Sequence, residues 1–353
     1  MALTALILFP FFGGILAQLA AGRGPNLERW VSIAAMIASF AALLFAIVWP
    51  EPGPWLALHR SDWAPSIGVQ VLLAMDGLSA ALLAVSILLG LVSVLISWTV
   101  THRSGLFHLA ICWTVAASNG VFLAFDLLIF AFFWELMLVP SALLIALWGH
   151  GEREKAAIKF IIFNAVAGLG LLAAVFFLAA SQPEITFDAF AIAEAGVDPD
   201  WQTLLLLGFA LAFLVKLPAP PFHAWLPDAH TQAPTAGSIL LAGLLLKTGA
   251  YGLFRFPPML FPEAMVEIAP YGMYVGAFGT VYGALIACAQ TDAKRLVAYT
   301  SVAHMSIVLM GFSGGVRFAV AGAGVEMIAH AFSASALFLL IGALYDRVGT
   351  RDL

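Results

Sequence analysis

Uninterrupted apolar runs recur along the whole chain, and they constrain its fold more than any other feature. One helical crossing of a bilayer needs roughly 20 apolar residues, and each run is long enough for one. The chain has 353 residues, of which 63% are hydrophobic and 10% charged. Soluble domains have roughly 45 to 50% and about 25%, respectively. The composition therefore excludes a water-soluble globule.

The length of the runs also selects the type of span. A transmembrane β-barrel would show short segments that alternate between apolar and polar residues, whereas these runs are unbroken. The sequence therefore predicts an all-α, polytopic transmembrane helical bundle. Eleven spans are expected near residues 3–21, 30–49, 76–98, 107–124, 127–148, 159–180, 202–222, 236–256, 270–289, 296–313 and 319–344.

Several functional classes lack the residues they need. The net charge is −5 without a basic cluster, so nucleic-acid binding is not expected. Cys112 and Cys288 are far apart inside apolar runs, which favours neither a disulfide nor a thiolate metal site. No Walker loop or dinucleotide fingerprint is present. We therefore predict no metal and no cofactor in this chain. We also predict that the first helix is retained and is not cleaved as a signal peptide.

The loops predict an orientation. Two are long, residues 50–70 and 181–201, and the second is acidic. Of the 15 Lys and Arg residues, two lie within spans, ten in loops after odd-numbered spans and three in loops after even-numbered spans. Because cytoplasmic loops retain the positive residues, we expect a bacterial-type inner membrane, with the N-terminus outside and the C-terminus in the cytoplasm.

Three charged residues are the clear cases of burial within predicted spans, because each has many apolar neighbours on both sides: Glu135, Lys216 and Lys247. Each costs about 2.5 to 3.5 kcal/mol at membrane depth, so such residues usually face the protein interior and mark an ion or proton path. A fixed ion pair or a Lys that reaches the membrane interface is the structural alternative. A Lys with a movable carboxylate neighbour can load and unload a proton, and Glu135 is the expected partner of Lys216.

A helix break is predicted directly after Lys216. Pro218, Pro220 and Pro221 remove three backbone donors within four residues, so the seventh helix should be discontinuous, as helices that line ion paths often are. An ordinary interhelical loop is the alternative. Three possible accessory residues follow the break: His223, Asp228 and His230.

Two further histidines, His304 and His330, lie inside the tenth and eleventh spans. A neutral imidazole can donate from one nitrogen and accept on the other, which suits a proton path, although a hydrogen-bonded core histidine is an equal alternative. Glu326 precedes His330 by four residues, so we expect both on one helix face, with the carboxylate favouring a charged His330.

Four stretches carry a family resemblance: FFWELMLVPSALLIALWGH, FLVKLPAPPFHAWLPDAHTQAPTAGSILLAGLLLKTGAYGLFRF, AQTDAKRLVAYTSVAHMS and EMIAHAFSASALFLLIGALYDRVGTRDL. They resemble the M-type antiporter-like subunits, chain 4 in mitochondrial nomenclature, of proton-pumping NADH:quinone oxidoreductase, respiratory complex I. The central WLPDAH, APT and LLLK block is shared with Mrp antiporter and membrane-bound hydrogenase subunits, so it is typical of the superfamily.

The resemblance implies a role for each buried residue. Glu135 matches the carboxylate of helix five, Lys216 the pumping Lys of the broken helix seven and Lys247 the connecting Lys of helix eight. His304 and His330 match the central hydrophilic axis. It also implies antiporter-like inverted repeats, which divide the chain into an N-terminal three-helix segment (1–106), a first repeat (107–256) and an incomplete second repeat (270–353).

The leading hypothesis from this resemblance is a proton-translocating membrane-arm subunit whose redox chemistry occurs in other subunits. Its expected partners are other membrane-arm subunits, including neighbouring antiporter-like ones, and lipid. Family members usually continue to a second broken helix, so a partner chain that supplies the missing helices is also considered. The alternatives are a subunit of a multi-chain Mrp-type sodium/proton antiporter and a truncated scaffold that does not pump.

Overall fold

The computed structural model describes residues 1–50 and 53–353, and it confirms the helical bundle. Eleven helices of the described part are long and apolar enough to cross a membrane. The helices are α1 (Ala2–Ala20), α2 (Leu27–Val48), α3 (Gly77–Ile96), α4 (Ser104–Leu123), α5 (Leu127–Leu136), α6 (Leu138–Trp148), α7 (Arg153–Ala180), α8 (Ala189–Ala195), α9 (Pro199–Lys216), α10 (Trp225–Gln232), α11 (Thr235–Leu240), α12 (Leu246–Leu260), α13 (Pro262–Cys288), α14 (Ala293–Ser313) and α15 (Arg317–Val348).

Each predicted span corresponds to one of these crossings, although two begin much earlier than expected. The sixth starts at Arg153 and the ninth at Pro262, because their first turns contain charged residues that the apolar pattern excluded. The fifth crossing consists of α5 and α6, which meet at Met137. Pro140 lacks the amide that would bond to the carbonyl of Leu136, which accounts for the interruption.

The seventh crossing is discontinuous, as predicted. α9 ends at Lys216, and α10 resumes at Trp225 after the proline-rich segment. The eighth crossing follows as α11, a π-helical segment (Leu241–Leu245) and α12. Its apolar window is 94% buried, more than that of any other described span, so the eighth crossing lies at the centre of the bundle.

A two-stranded antiparallel hairpin occupies most of the loop predicted at 50–70 and extends beyond it; residues 51 and 52 lie outside the described part. It pairs β1 (Ala57–Ala64) with β2 (Val69–Met75). Asp188 in the second long loop accepts hydrogen bonds from Arg60 and Gln70, both at 2.8 Å. The two long loops therefore pack together on one side of the bundle, here called the hairpin face.

The opposite side gathers the basic loops and is here called the basic face. Asp228 on α10 accepts from Lys159 of α7 at 2.6 Å and from Arg295 of α14 at 3.0 Å. Arg351 donates to the carbonyl of Thr231 at 2.6 Å. Lys159, Arg295 and Arg351, three of the basic residues assigned to loops after odd-numbered spans, thus lie on one side of the bundle. The division into segments 1–106, 107–256 and 270–353 stays a prediction.

Candidate functional site

The Lys216 ammonium lies at the end of α9, with none of the residue exposed. Its Nζ donates to the backbone carbonyl of Trp134 at 3.1 Å and lies 3.6 Å from the centroid of the Trp134 ring. The π-face of an indole attracts a cation, most strongly where water is excluded. Trp134 therefore supplies both a carbonyl and a ring to the loaded form of Lys216.

Glu135 follows Trp134 on α5 and is half-buried. The two charged groups of Glu135 and Lys216 interact electrostatically. They do not form a direct ion pair within 4.0 Å, although both lie in the described part of the chain. Glu135 Oε1 is buried, has no hydrogen-bond partner and lies against Gly168 of α7. The structure thus brings the expected partners near each other, with Trp134 as the direct ligand of the ammonium.

Lys247 lies near the start of α12 and is also completely buried. Its Nζ donates to the carbonyl of Ala242 at 2.6 Å and lies 2.5 Å from Nδ1 of His330. Ala242 belongs to the π-helical segment, a local distortion that is frequent at functional sites. An amine and an imidazole at this separation can exchange a proton directly.

His330 also lies next to a histidine of α14. Its ring centroid lies 5.6 Å from that of His304, and His304 Nδ1 lies 2.6 Å from Glu326 Oε1. The expectation that Glu326 acts on His330 needs correction, because the carboxylate pairs with His304. His330 is 2% exposed and turns inward to Lys247, while Glu326 reaches across to the neighbouring helix. The four-residue spacing between Glu326 and His330 predicted the helix face of each residue, but it did not predict which group each residue contacts.

His230 and Lys294 form a second buried group beside Lys247. Neither ring nitrogen of the fully buried His230 has a protein partner, and its ring stacks on Phe338 at 4.6 Å. Lys294 donates to the carbonyl of Ala233 at 2.7 Å and to Ser238 Oγ at 3.3 Å. Buried polar atoms usually have a hydrogen-bond partner, so the two nitrogens of His230 are an exception among the described residues.

Sequence reasoning missed Lys294, because it was counted as a loop residue. It is 3% exposed, since α14 begins at Ala293 and turns this side chain toward the junction of α10 and α11. The sequence feature that could have indicated its burial is its position directly before the apolar run of the tenth span. Residues at such boundaries can point inward as well as outward.

The remaining accessory candidates have different surroundings. His223 is 8% exposed, its Nδ1 has no partner, and its ring centroid lies 5.2 Å from that of Tyr282. Asp228 is held by two cations on the basic face, so it tethers α10 to α7 and α14. Of the predicted residues, Lys247 is hydrogen-bonded to His330 and His304 to Glu326, and the two imidazole rings are neighbours with centroids 5.6 Å apart. Among the described residues, no group of three or more His, Cys, Asp or Glu could hold a metal ion.

Comparison with known proteins identifies the family. Residues 124–353 match the family described as NADH:quinone oxidoreductase/Mrp antiporter, TM. NADH-quinone oxidoreductase subunit M of Pseudomonas aeruginosa is 46% identical over 375 residues, covering 100% of this chain and 73% of that protein.

Two solved structures share the fold. One chain of respiratory complex I from Thermus thermophilus with bound NADH superposes with a TM-score of 0.90 at 30% identity, covering 100% of this chain and 73% of its own length. A chain of the Mrp complex from Dietzia sp. DQ12-45-1b gives 0.84 at 25% identity, with coverage of 100% and 38%. The chain therefore belongs to the NADH:quinone oxidoreductase/Mrp antiporter family of membrane proteins.

Proposed function

We propose that this chain is a proton-translocating membrane-arm subunit of an NADH:quinone oxidoreductase. One observation carries the proposal: a fully buried Lys247 contacts His330, which adjoins the His304–Glu326 pair, inside an apolar bundle. Such a series of ionisable groups is expensive to bury, and it is expected where protons must cross. The relative from Pseudomonas aeruginosa supports the assignment to an NADH-linked complex.

Lys216 and Glu135 would form the loading end of the path. A proton on Lys216 is stabilised by the carbonyl and ring of Trp134 and by the nearby carboxylate. Movement of Glu135 would change how strongly the ammonium is held. The carboxylate would thereby control when Lys216 releases its proton.

Transfer from Lys216 to Lys247 is favoured by the packing of their helices. A side chain at Gly249 of α12 would lie 3.1 Å from the backbone carbonyl carbon of Lys216, so the end of α9 sits directly on α12. Water would bridge the two amines, because the structure places no side-chain hydrogen bond between them within the described residues. The free nitrogens of His230 offer further water sites beside this step.

From Lys247 the proton would pass to neutral His330. Nδ1 accepts it from the ammonium, and Nε2, which has no protein partner, releases a proton toward His304. Glu326 stabilises the imidazolium that forms at His304. The final acceptor beyond this pair would be water or a group on a neighbouring subunit.

The complex would supply the driving energy from elsewhere. We propose that this chain holds no redox centre and no cofactor, and that its partners are other membrane-arm subunits. We also propose that the basic face is cytoplasmic, with the N-terminus outside and the C-terminus inside a bacterial-type inner membrane. A sodium/proton antiporter subunit is the second candidate, supported by the fold shared with the Mrp complex.

The proposal is tested by replacing Lys216 in the assembled complex. In inverted membrane vesicles without sodium, Lys216→Ala should abolish most NADH-driven proton uptake while the complex still assembles. Lys155→Ala is the matched control, because Lys155 is exposed and its one partner among the described residues is Glu152. Wild-type proton uptake by an assembled Lys216→Ala complex would contradict the proposal, and uptake that requires sodium would favour the antiporter.

A further inference from the structure

We infer that Gly168 of α7 is a positioning residue for Glu135, because its lack of a side chain creates the space that the carboxylate occupies. The inference rests on the proposed function, in which Glu135 controls Lys216. The three atoms nearest to a Cβ at Gly168 all belong to Glu135, so the role of Gly168 is exerted through the position of that carboxylate.

The geometry leaves no room for a larger residue. A Cβ built on Gly168 would overlap Glu135 Oε1, and it would lie 2.8 Å from Cδ and 3.4 Å from Oε2 of the same carboxylate. All three nearest atoms belong to Glu135. The carboxylate therefore lies against the bare backbone of α7, and any side chain at position 168 would displace it.

The surroundings offer a space that the displaced carboxylate can enter. Glu135 also borders an apolar groove of about 420 Å³ lined by Leu128, Phe132, Val139 and Leu172, among others. Phe132 and Val139 are among the exposed apolar residues of the bundle, whereas Lys216 is completely buried. This outer groove offers space to a carboxylate displaced by a side chain at position 168, and the displacement would change its position relative to the ammonium.

The same helix offers a matched control. Gly170 lies two residues further along α7, and a Cβ there would come no closer than 3.8 Å to Leu211 and 3.9 Å to the carbonyl of Gly208. Alanine favours a helix over glycine at both positions. An effect of Gly168→Ala that Gly170→Ala lacks therefore reports the contact with Glu135 rather than a general change in the helix.

The experiment compares Gly168→Ala, Gly170→Ala and Glu135→Gln in the complete complex. NADH-driven proton uptake and NADH oxidation are measured in inverted membrane vesicles, and assembly is checked on native gels. We expect Gly168→Ala to lose about as much proton uptake as Glu135→Gln, and Gly170→Ala to pump normally. Normal uptake by assembled Gly168→Ala, beside impaired Glu135→Gln, would overturn the inference.

A double variant separates positioning from packing. Glu135→Asp withdraws the carboxylate by one methylene, so we expect Gly168→Ala to cause no further loss in that background. An equal fold loss in both backgrounds would overturn the inference. If Gly168→Ala does not assemble, the double variant Gly168→Ala, Glu135→Ala is tested for assembly. Restored assembly supports a clash between the new side chain and the Glu135 carboxylate, and continued failure contradicts it. Normal pumping by Glu135→Gln would instead refute the proposed role of Glu135.

Discussion

The two buried lysines of this bundle have different ligands. Lys216 is held by a carbonyl and an indole ring, neither of which can accept its proton. Lys247 lies 2.5 Å from an imidazole nitrogen that can. In the proposed path, Lys216 would store a proton until its surroundings change, whereas Lys247 would pass one on. The following predictions test or sharpen this distinction.

The largest effect is expected at Lys247. Arginine keeps the positive charge but does not release its proton in proteins, so Lys247→Arg should lower NADH-driven proton uptake by at least about tenfold. Lys247→Ala should lower it similarly. Proton uptake in vesicles, normalised to assembled complex, checks both variants. Retention of pumping by Lys247→Arg alone would show that charge rather than proton transfer is needed there.

A smaller effect is expected at Trp134. Trp134→Leu removes the ring beside Lys216 but keeps the backbone carbonyl, so we expect a loss of about threefold to tenfold in proton uptake. Trp201→Leu is the control, because Trp201 is 44% exposed at the start of α9. Equal uptake by the two variants would mean that the indole does not stabilise the ammonium.

A still smaller effect is expected at Glu326. The side chains of His304 and Glu326 are 48% and 27% exposed at the outer end of the proposed path, so water or a neighbouring subunit would take over part of the role of the carboxylate. Glu326→Gln should reduce proton uptake about twofold to fivefold. Glu194→Gln, on the short helix α8 of the hairpin face, provides the control. A complete loss with Glu326→Gln would instead make this carboxylate an obligatory carrier.

The smallest effect on pumping is expected at Asp76, which precedes α3 on the hairpin side of that helix. Burial would raise the pKa of this carboxyl, but the hydrogen bond and charge of Arg255 together with the amide of Ser79 lower it. Asp76→Ala should leave proton uptake unchanged and lower the free energy of unfolding by about 1 to 2 kcal/mol through loss of the helix cap and the ion pair.

The pH dependence of this loss of stability can also be predicted. A lowered native pKa stabilises the fold above the ordinary value of 3.8, and the contribution is lost as the pH falls through the lower native value. The difference in thermal midpoint between Asp76→Ala and the wild type should therefore be constant from about pH 6 to pH 8. A difference that changes within this range would assign the effect to another group.

The sequence predicted the features that depend on local pattern. Apolar run length gave the spans, and the prolines after Lys216 gave the broken helix. Features that depend on packing between distant segments were not predicted. Lys294 was placed in a loop, Glu326 was assigned to the wrong histidine, and the hairpin was not expected. In each case the contacts of the residue depend on a neighbouring helix or strand. The spacing of residues along a single helix does not predict such contacts.

The contacts of Glu135 show the same limit. The surrounding apolar residues predicted that Glu135 lies deep in the membrane. They did not predict the space at Gly168, because α7 is a separate crossing. The role of Trp134 was hidden for a different reason. An aromatic residue in an apolar run is usually a packing residue, and only the position of Lys216 over its ring indicates otherwise.

The central claim is that Lys216 and Lys247 belong to one continuous path. The most direct test is the number of protons moved per NADH oxidised in Lys216→Ala, Lys247→Ala and the double variant. Residues that act in series are not additive, so the double variant should match the more severe single variant. Losses that multiply in the double variant, or a wild-type ratio in either single variant, would contradict a single path.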